Sequence, residues 1–235
     1  MLENISIGNG LSNFKIKIRQ KENILMANLV KELQVYHAAD MLMQGLKEYR
    51  IKQKEEMEGI VGIKVFDPSS QPFNNKKETS SFKLSERIVE SDTQAIEESD
   101  IYVIDLPVSG NGGLGTNQEA AQIFQMKRDA KRLFDKIGDV YGFSYKLGST
   151  KDDYDFNEME VTPDHIELLR DCLKTINKKC LLYSSDIRWN TTDMKDHMDR
   201  VHYSFNAYTY GVALALTNGE GVISWEEVLK RLENI

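Results

Sequence analysis

The sequence is poor in the residues that build metal centres and redox pairs. Its two cysteines, Cys172 and Cys180, have neither a metal-binding nor a redox spacing. Of its four histidines, His197 and His202 stand five apart rather than the four that would align two zinc ligands on a helix, and no third ligand type clusters beside them. No metal or cofactor is therefore expected. Long hydrophobic runs are missing too. No stretch approaches the roughly 18 apolar residues of a membrane span, and Met1-Leu2-Glu3-Asn4 lacks the basic, then apolar, start of a signal region. The reading is a cytoplasmic protein without a membrane partner. Nor is there a basic excess: a formal net charge of −7 argues against a nucleic-acid polymer as partner and favours a small or neutral substrate.

What remains is an ordinary globular composition, 40% apolar and 29% charged, in a chain long enough to bury a substantial core, read as one α/β domain over residues 1–235. The informative stretch is 92–119. Ile101-Tyr102-Val103-Ile104 is a short apolar run bounded by Ser99-Asp100 and Asp105-Leu106-Pro107, the pattern of a parallel strand buried on both faces. A glycine-rich loop from Ser109 to Thr116 follows, and then a helix start carrying Glu119. The loop lacks the Gly-Lys-Ser/Thr ending of a phosphate-binding loop and fits G-x-G-x-x-G poorly. In open α/β sheets, ligands bind at the carboxyl ends of strands, where Glu119 would sit. The same pattern also suits a plain turn and an acid placed favourably at the positive end of a helix dipole.

Elsewhere, Asn4–Gly10 reads as a first strand ending in a glycine turn. Residues 20–58 read as one long helix or two helices with an insert, from Leu25, Leu29, Leu33, Tyr36, Leu42, Leu46 and Tyr49 at three- and four-residue steps, with His37 a packed core histidine. Gly62–Pro68 suits a second strand and Ser85–Glu98 a helix that presents Asp92 one turn before Ile96. A helix from Glu119 to about Ile137, an acidic loop over 148–160 and a helix opened by Thr162-Pro163 come next. Cys180–Tyr183 suits another strand, with Asp186 and Arg188 pairing to fix its loop. Ser224-Trp225-Glu226-Glu227 is a capping box for the last helix.

Asp92-x-x-x-Ile96-x-x-x-Asp100-Ile101, an apolar strand, then Gly115-Thr116-x-x-Glu119 resembles the core of the nucleoside 2-deoxyribosyltransferases. The resemblance covers residues 4–12, 60–124 and 179–235. It implies a flavodoxin-like or Rossmann-like open parallel sheet flanked by helices, here with two mainly helical insertions at about 20–58 and 128–178. It implies Glu119 as nucleophile, Asp92 as acid/base toward the departing base, and Asn206 reaching a neighbouring subunit's site, hence a homo-oligomer. Gln71 and Phe73 would contact the base, and Tyr208 stands where the family has Met. Ser6 and Gly10 belong to the opening strand and turn, Asn111 and Gly115 to the glycine loop.

Two departures accompany it: the family tyrosine that holds the glutamate would be Ser6, and the sugar-binding aspartate would be Gly113, with Asn111 or Asn117 as substitutes. The implied partners are deoxynucleosides and free nucleobases, exchanged through a covalent deoxyribosyl-glutamate. A hydrolase of deoxynucleosides or their 5′-monophosphates, and a non-catalytic nucleotide-binding module, stand as alternatives.

Overall fold

Ile101–Asp105 is buried at every position and forms β3, the middle strand of a five-stranded sheet. The computed structural model describes residues 32–41, 44–71, 81–108, 113–186 and 205–235. In chain order the elements are β1 (Leu33–Ala38), α1 (Gln44–Glu58), β2 (Ile63–Phe66), α2 (Ser81–Glu98), β3, α3 (Leu114–Tyr141), α4 (Pro163–Asn177), β4 (Lys179–Tyr183), α5 (Ala207–Leu216), β5 (Val222–Ile223) and α6 (Trp225–Glu233). All strand pairs are parallel and the order is β2-β1-β3-β4-β5. This is the flavodoxin-like order of a doubly wound sheet, and the expected open α/β architecture is what the chain adopts.

Alternation along the strands sorts the helices onto two faces. Tyr36, Ala38, Tyr102, Ile104, Cys180 and Leu182 pack on one side against α2, α3 and α5, through Ile96, Ile123 and Ala213 among others. Val35, Ile101, Val103, Leu181 and Tyr183 pack on the other against Met57 of α1 and Val228 and Leu232 of α6. Each such aliphatic side chain contributes about 1.5–3 kcal/mol on burial.

One expectation is corrected here. Residues 20–58 are not continuous helix, because Leu33–Ala38 is a strand between β2 and β3. Leu33 and Tyr36 match a helical step, yet in a strand they point to opposite faces. A central strand buries both faces, so its apolar residues show no strand period. His37 is fully buried, as expected of a packed histidine. Asn4–Gly10, expected as the opening strand and its turn, lie outside the described residues.

Residues 128–178, expected as an insertion, hold the distal half of α3, the following loop and α4. Helix α3 runs for 28 residues, about 42 Å at the usual rise, and only its first part meets the sheet. Its distal half carries Phe134 and Ile137 into a separate cluster with Phe156, Val161, Leu169 and Leu173 from the following loop and α4. Around Phe134 the rings of Phe143, Tyr145 and Tyr154 make edge contacts at 5.2–5.9 Å, so this extension carries a core of its own. Ser224 caps α6 by accepting from the Glu227 amide at 3.2 Å.

Candidate active site

The strand order reverses between β1 and β3, and in open α/β sheets a ligand crevice lies at such a switch point, outside the strands' carboxyl ends. Tyr36 on β1 and Glu119 in the second turn of α3 meet at this point. The Tyr36 hydroxyl donates to Glu119 Oε1 at 2.9 Å across 83 residues of chain. Phe66 of β2 stacks on the Tyr36 ring at 5.6 Å and holds its plane. Asp92 reaches the same place from α2, whose Thr93 accepts a hydrogen bond from Gln122 of α3 at 3.1 Å. Its Oδ1 is buried with no hydrogen-bond partner among the described residues.

The electrostatics follow from this burial. Removal from water pushes the Glu119 carboxyl up to about 7, with the Asp92 charge adding to the rise and the Tyr36 hydrogen bond opposing it. Burial alone pushes Asp92 up to about 6. Tyr36 is held far above its ordinary value, by burial first and then by Glu119, Asp92 and Asp67, so it remains a donor. Two carboxyls that influence each other lose protons as a pair. Burial raises both toward neutrality, and the Asp92 charge further disfavours ionisation of Glu119.

Tyr36→Phe is expected to raise the Glu119 pKa by about 1–2 units, because a hydrogen bond to a charged group is worth about 1.5–3 kcal/mol. A carbon-detected NMR titration of the glutamate carboxyls reads this directly. An unmoved Glu119 would show that the tyrosine does not tune it.

The glycine turn before α3 is built around Gly113. Its φ of +70° is left-handed, and a Cβ there would meet Pro107 Cγ at 2.7 Å, so an aspartate at this position would not fit the turn. Its amide instead donates to Asp40 Oδ2 at 3.1 Å, which brings a carboxylate from the β1–α1 loop to the turn. Asn117, one turn on, has a buried Oδ1 without a partner among the described residues.

Beneath the crevice, Arg50 is 2% exposed and ties the strand ends together. It pairs with Asp105 at the end of β3 and donates to Gln53 at 2.7 Å, to the Tyr183 hydroxyl at 3.1 Å and to the Asp40 carbonyl at 3.3 Å. Asp105 also accepts from the Ser185 amide at 2.8 Å. His37 contacts the Tyr183 hydroxyl at 2.9 Å, and burial beside Arg50 lowers its pKa to about 3, so it stays neutral.

No family model and no curated protein matches this sequence. A solved structure titled as a conserved protein from Enterococcus faecalis V583 shares 17% identity over 86% of this chain and 98% of that one, with a TM-score of 0.48.

The structure thus brings Glu119 and Asp92 together, and adds residues to which sequence reasoning gave no site role: Tyr36, Asp40, Asp67 and Arg50. The tyrosine on the glutamate was sought at Ser6 and stands at Tyr36. Val35-Tyr36-His37-Ala38-Ala39, a tyrosine after a β-branched residue and before a small-residue turn, carried the signal. Asp67 is 3% exposed and holds its own turn, accepting from the Ser69 amide at 2.8 Å. Gln71 spends its amide on the Asp67 carbonyl at 3.0 Å, so in this conformation it serves that turn. Gly115 lies in the first turn of α3, with no atom within 4 Å of where a Cβ would stand.

Asn206 caps α5, accepting from the Tyr208 and Thr209 amides at 2.9 and 3.3 Å, and only its NH2 end remains to donate to a ligand. Tyr208 is 78% exposed. Ser6, Gly10, Phe73, Asn111, Arg188, His197 and His202 lie outside the described residues. Among the described residues, no group of three or more His, Cys, Asp or Glu could hold a metal, and no helix is long and apolar enough to cross a membrane.

Proposed function

We propose that this protein exchanges purine or pyrimidine bases between 2′-deoxynucleosides through a deoxyribosyl ester on Glu119. One observation carries the reading: a tyrosine-held glutamate at the sheet's switch point, close enough to the half-buried carboxyl of Asp92 to feel its charge.

A Glu119 carboxylate oxygen attacks C1′ of the sugar while the C1′–N bond breaks and its electron pair leaves with the base. Asp92 gives that base its proton. The charge developing on the sugar ring stabilises the Glu119 anion, opposing the burial that raises its pKa. In the second half, an incoming base loses a proton to Asp92 and attacks C1′, and the ester bond breaks. Two displacements retain configuration.

The Asp40 carboxylate, which accepts from the Gly113 amide, takes the sugar-hydroxyl role that a glycine at 113 leaves open. Self-association brings Asn206 of a second copy to this crevice. Tyr36 also answers one of the grounds for a non-catalytic module, the tyrosine missing at Ser6, beside the aspartate missing at Gly113 and the two insertions.

Chromatography of the protein with deoxyinosine or thymidine plus excess adenine tests the proposal. A new deoxyadenosine peak, absent with Glu119→Ala, is the expected result. Free hypoxanthine or thymine without deoxyadenosine would replace exchange by hydrolysis. No reaction with any deoxynucleoside or monophosphate would overturn both.

A further inference from the structure

At the opposite end of the sheet a second cavity, of about 710 Å3, opens between α3, the start of β4 and the ends of α4 and α5. Its lining begins five residues beyond Glu119 on α3 and reaches twelve beyond, about 7–18 Å at the usual rise, and includes none of Tyr36, Asp92 and Glu119.

Its charge is unlike that of the whole molecule. In a protein of net charge −7, six cations line this space: Lys127, Arg128, Lys131, Lys178, Lys179 and Arg231. Glu220 is the one carboxylate in the lining, and it is bound to Arg231. Lys131 is also matched, by Asp135 at 2.5 Å.

The other four are not neutralised in this way. Lys127 donates to the Lys178 carbonyl and Lys178 to the Glu97 carbonyl, so both ammonium groups are held by neutral oxygens. Lys178 is 8% exposed, and burial lowers its pKa, with Lys174 and Lys127 adding to the effect while Asp100 and Glu97 oppose it. Arg128 lies over the Phe124 ring at 6.0 Å. The carboxyl ends of α4 and α5 border the cavity and offset about half a charge each, which leaves a surplus of roughly three positive charges.

The walls between these cations are apolar and aromatic. Phe124 and Tyr145 face the space with Ile176 and Leu216. A surplus of that size exceeds what a single carboxylate would match and suits a phosphate group, which carries about −1.5 to −2 charges. The aromatic walls suit a ring attached to it. We propose that this cavity binds a small ring-bearing phosphate monoester, of the chemical class of a nucleoside monophosphate, by ion pairing at Arg128 and Lys179 and ring packing on Phe124 and Tyr145. This rests on the cavity alone and not on the base-exchange reading.

Calorimetric titration of the protein with AMP and with dTMP tests it, with adenosine and inorganic phosphate as the halves of the ligand. At least one monophosphate is expected to bind, with the matching nucleoside and inorganic phosphate each at least about tenfold weaker, a difference of about 1.4 kcal/mol. Arg128→Glu with Lys179→Glu, both on exposed side chains, is expected to weaken that binding at least about tenfold with the melting temperature little changed. Glu119→Gln is expected to leave it intact. Two monophosphates that do not bind would overturn the proposal. So would binding that survives charge reversal but is lost in Glu119→Gln, which would put the ligand in the carboxylate crevice and leave the base-exchange reading standing.

Discussion

Glu119→Gln is expected to abolish base exchange, with turnover falling about 10³- to 10⁶-fold as for other essential nucleophiles, while the folded protein becomes more stable above neutrality. The two effects have one cause. An amide cannot form the sugar ester, and it also carries no charge to desolvate. Because the folded-state pKa of Glu119 is raised from 4.5 to about 7, the glutamate adds no charge penalty while protonated. The penalty grows as pH rises through that interval and is complete above it.

The stabilisation by glutamine should therefore be near zero at about pH 4 and reach roughly 2–3 kcal/mol at about pH 8. In a chain of this length that is roughly 4–12 °C in melting temperature. Thermal melts of the two proteins across this range check it. A glutamine variant no more stable than the parent at high pH would mean that Glu119 is not held under strain. A variant that still exchanges bases would remove Glu119 from the chemistry.

Arg50→Ala is the second large effect. Breaking a buried ion pair from one side leaves the other charge uncompensated and costs about 3–5 kcal/mol. Here the abandoned group is Asp105, at the end of the middle strand, and Arg50 also holds Gln53, Tyr183 and the Asp40 carbonyl. The melting temperature should fall by roughly 6–20 °C. Arg50→Met with Asp105→Leu should lose less, because the pair is removed together. An alanine variant within about 1 kcal/mol of the parent by urea unfolding would show that the pair contributes little net stability. Since the same side chain anchors the loop that carries Asp40, the single variant should also weaken substrate binding.

Composition and short-range pattern were sufficient for much of this molecule. The continuous burial of Ile101–Ile104, the helix carrying Asp92 and Ile96, the Thr162-Pro163 start of α4 and the Ser224 cap of α6 were all readable from neighbouring residues. The physical forces behind them act within a turn or two of chain. Glu119 and Asp92 were singled out by their resemblance to the deoxyribosyltransferase core, since the local pattern alone also suited a plain turn.

Tyr36 was not legible in that way. It lies in a six-residue strand whose two buried faces erase the strand period, so nearby leucines at helical spacing absorbed it into a helix. Its role depends on a hydrogen bond to a residue 83 positions away, which exists only once β1 has taken its place beside β3. Likewise, no local pattern shows that Gly113 must be glycine because Pro107 closes on it, or that Asp40 brings the carboxylate its turn lacks. Nor does any show that cations from three separate segments face one cavity. Local order follows from steric and apolar preferences along the chain. The site and the cavity depend on distances between segments that sequence spacing does not encode, and only the closed sheet decided them.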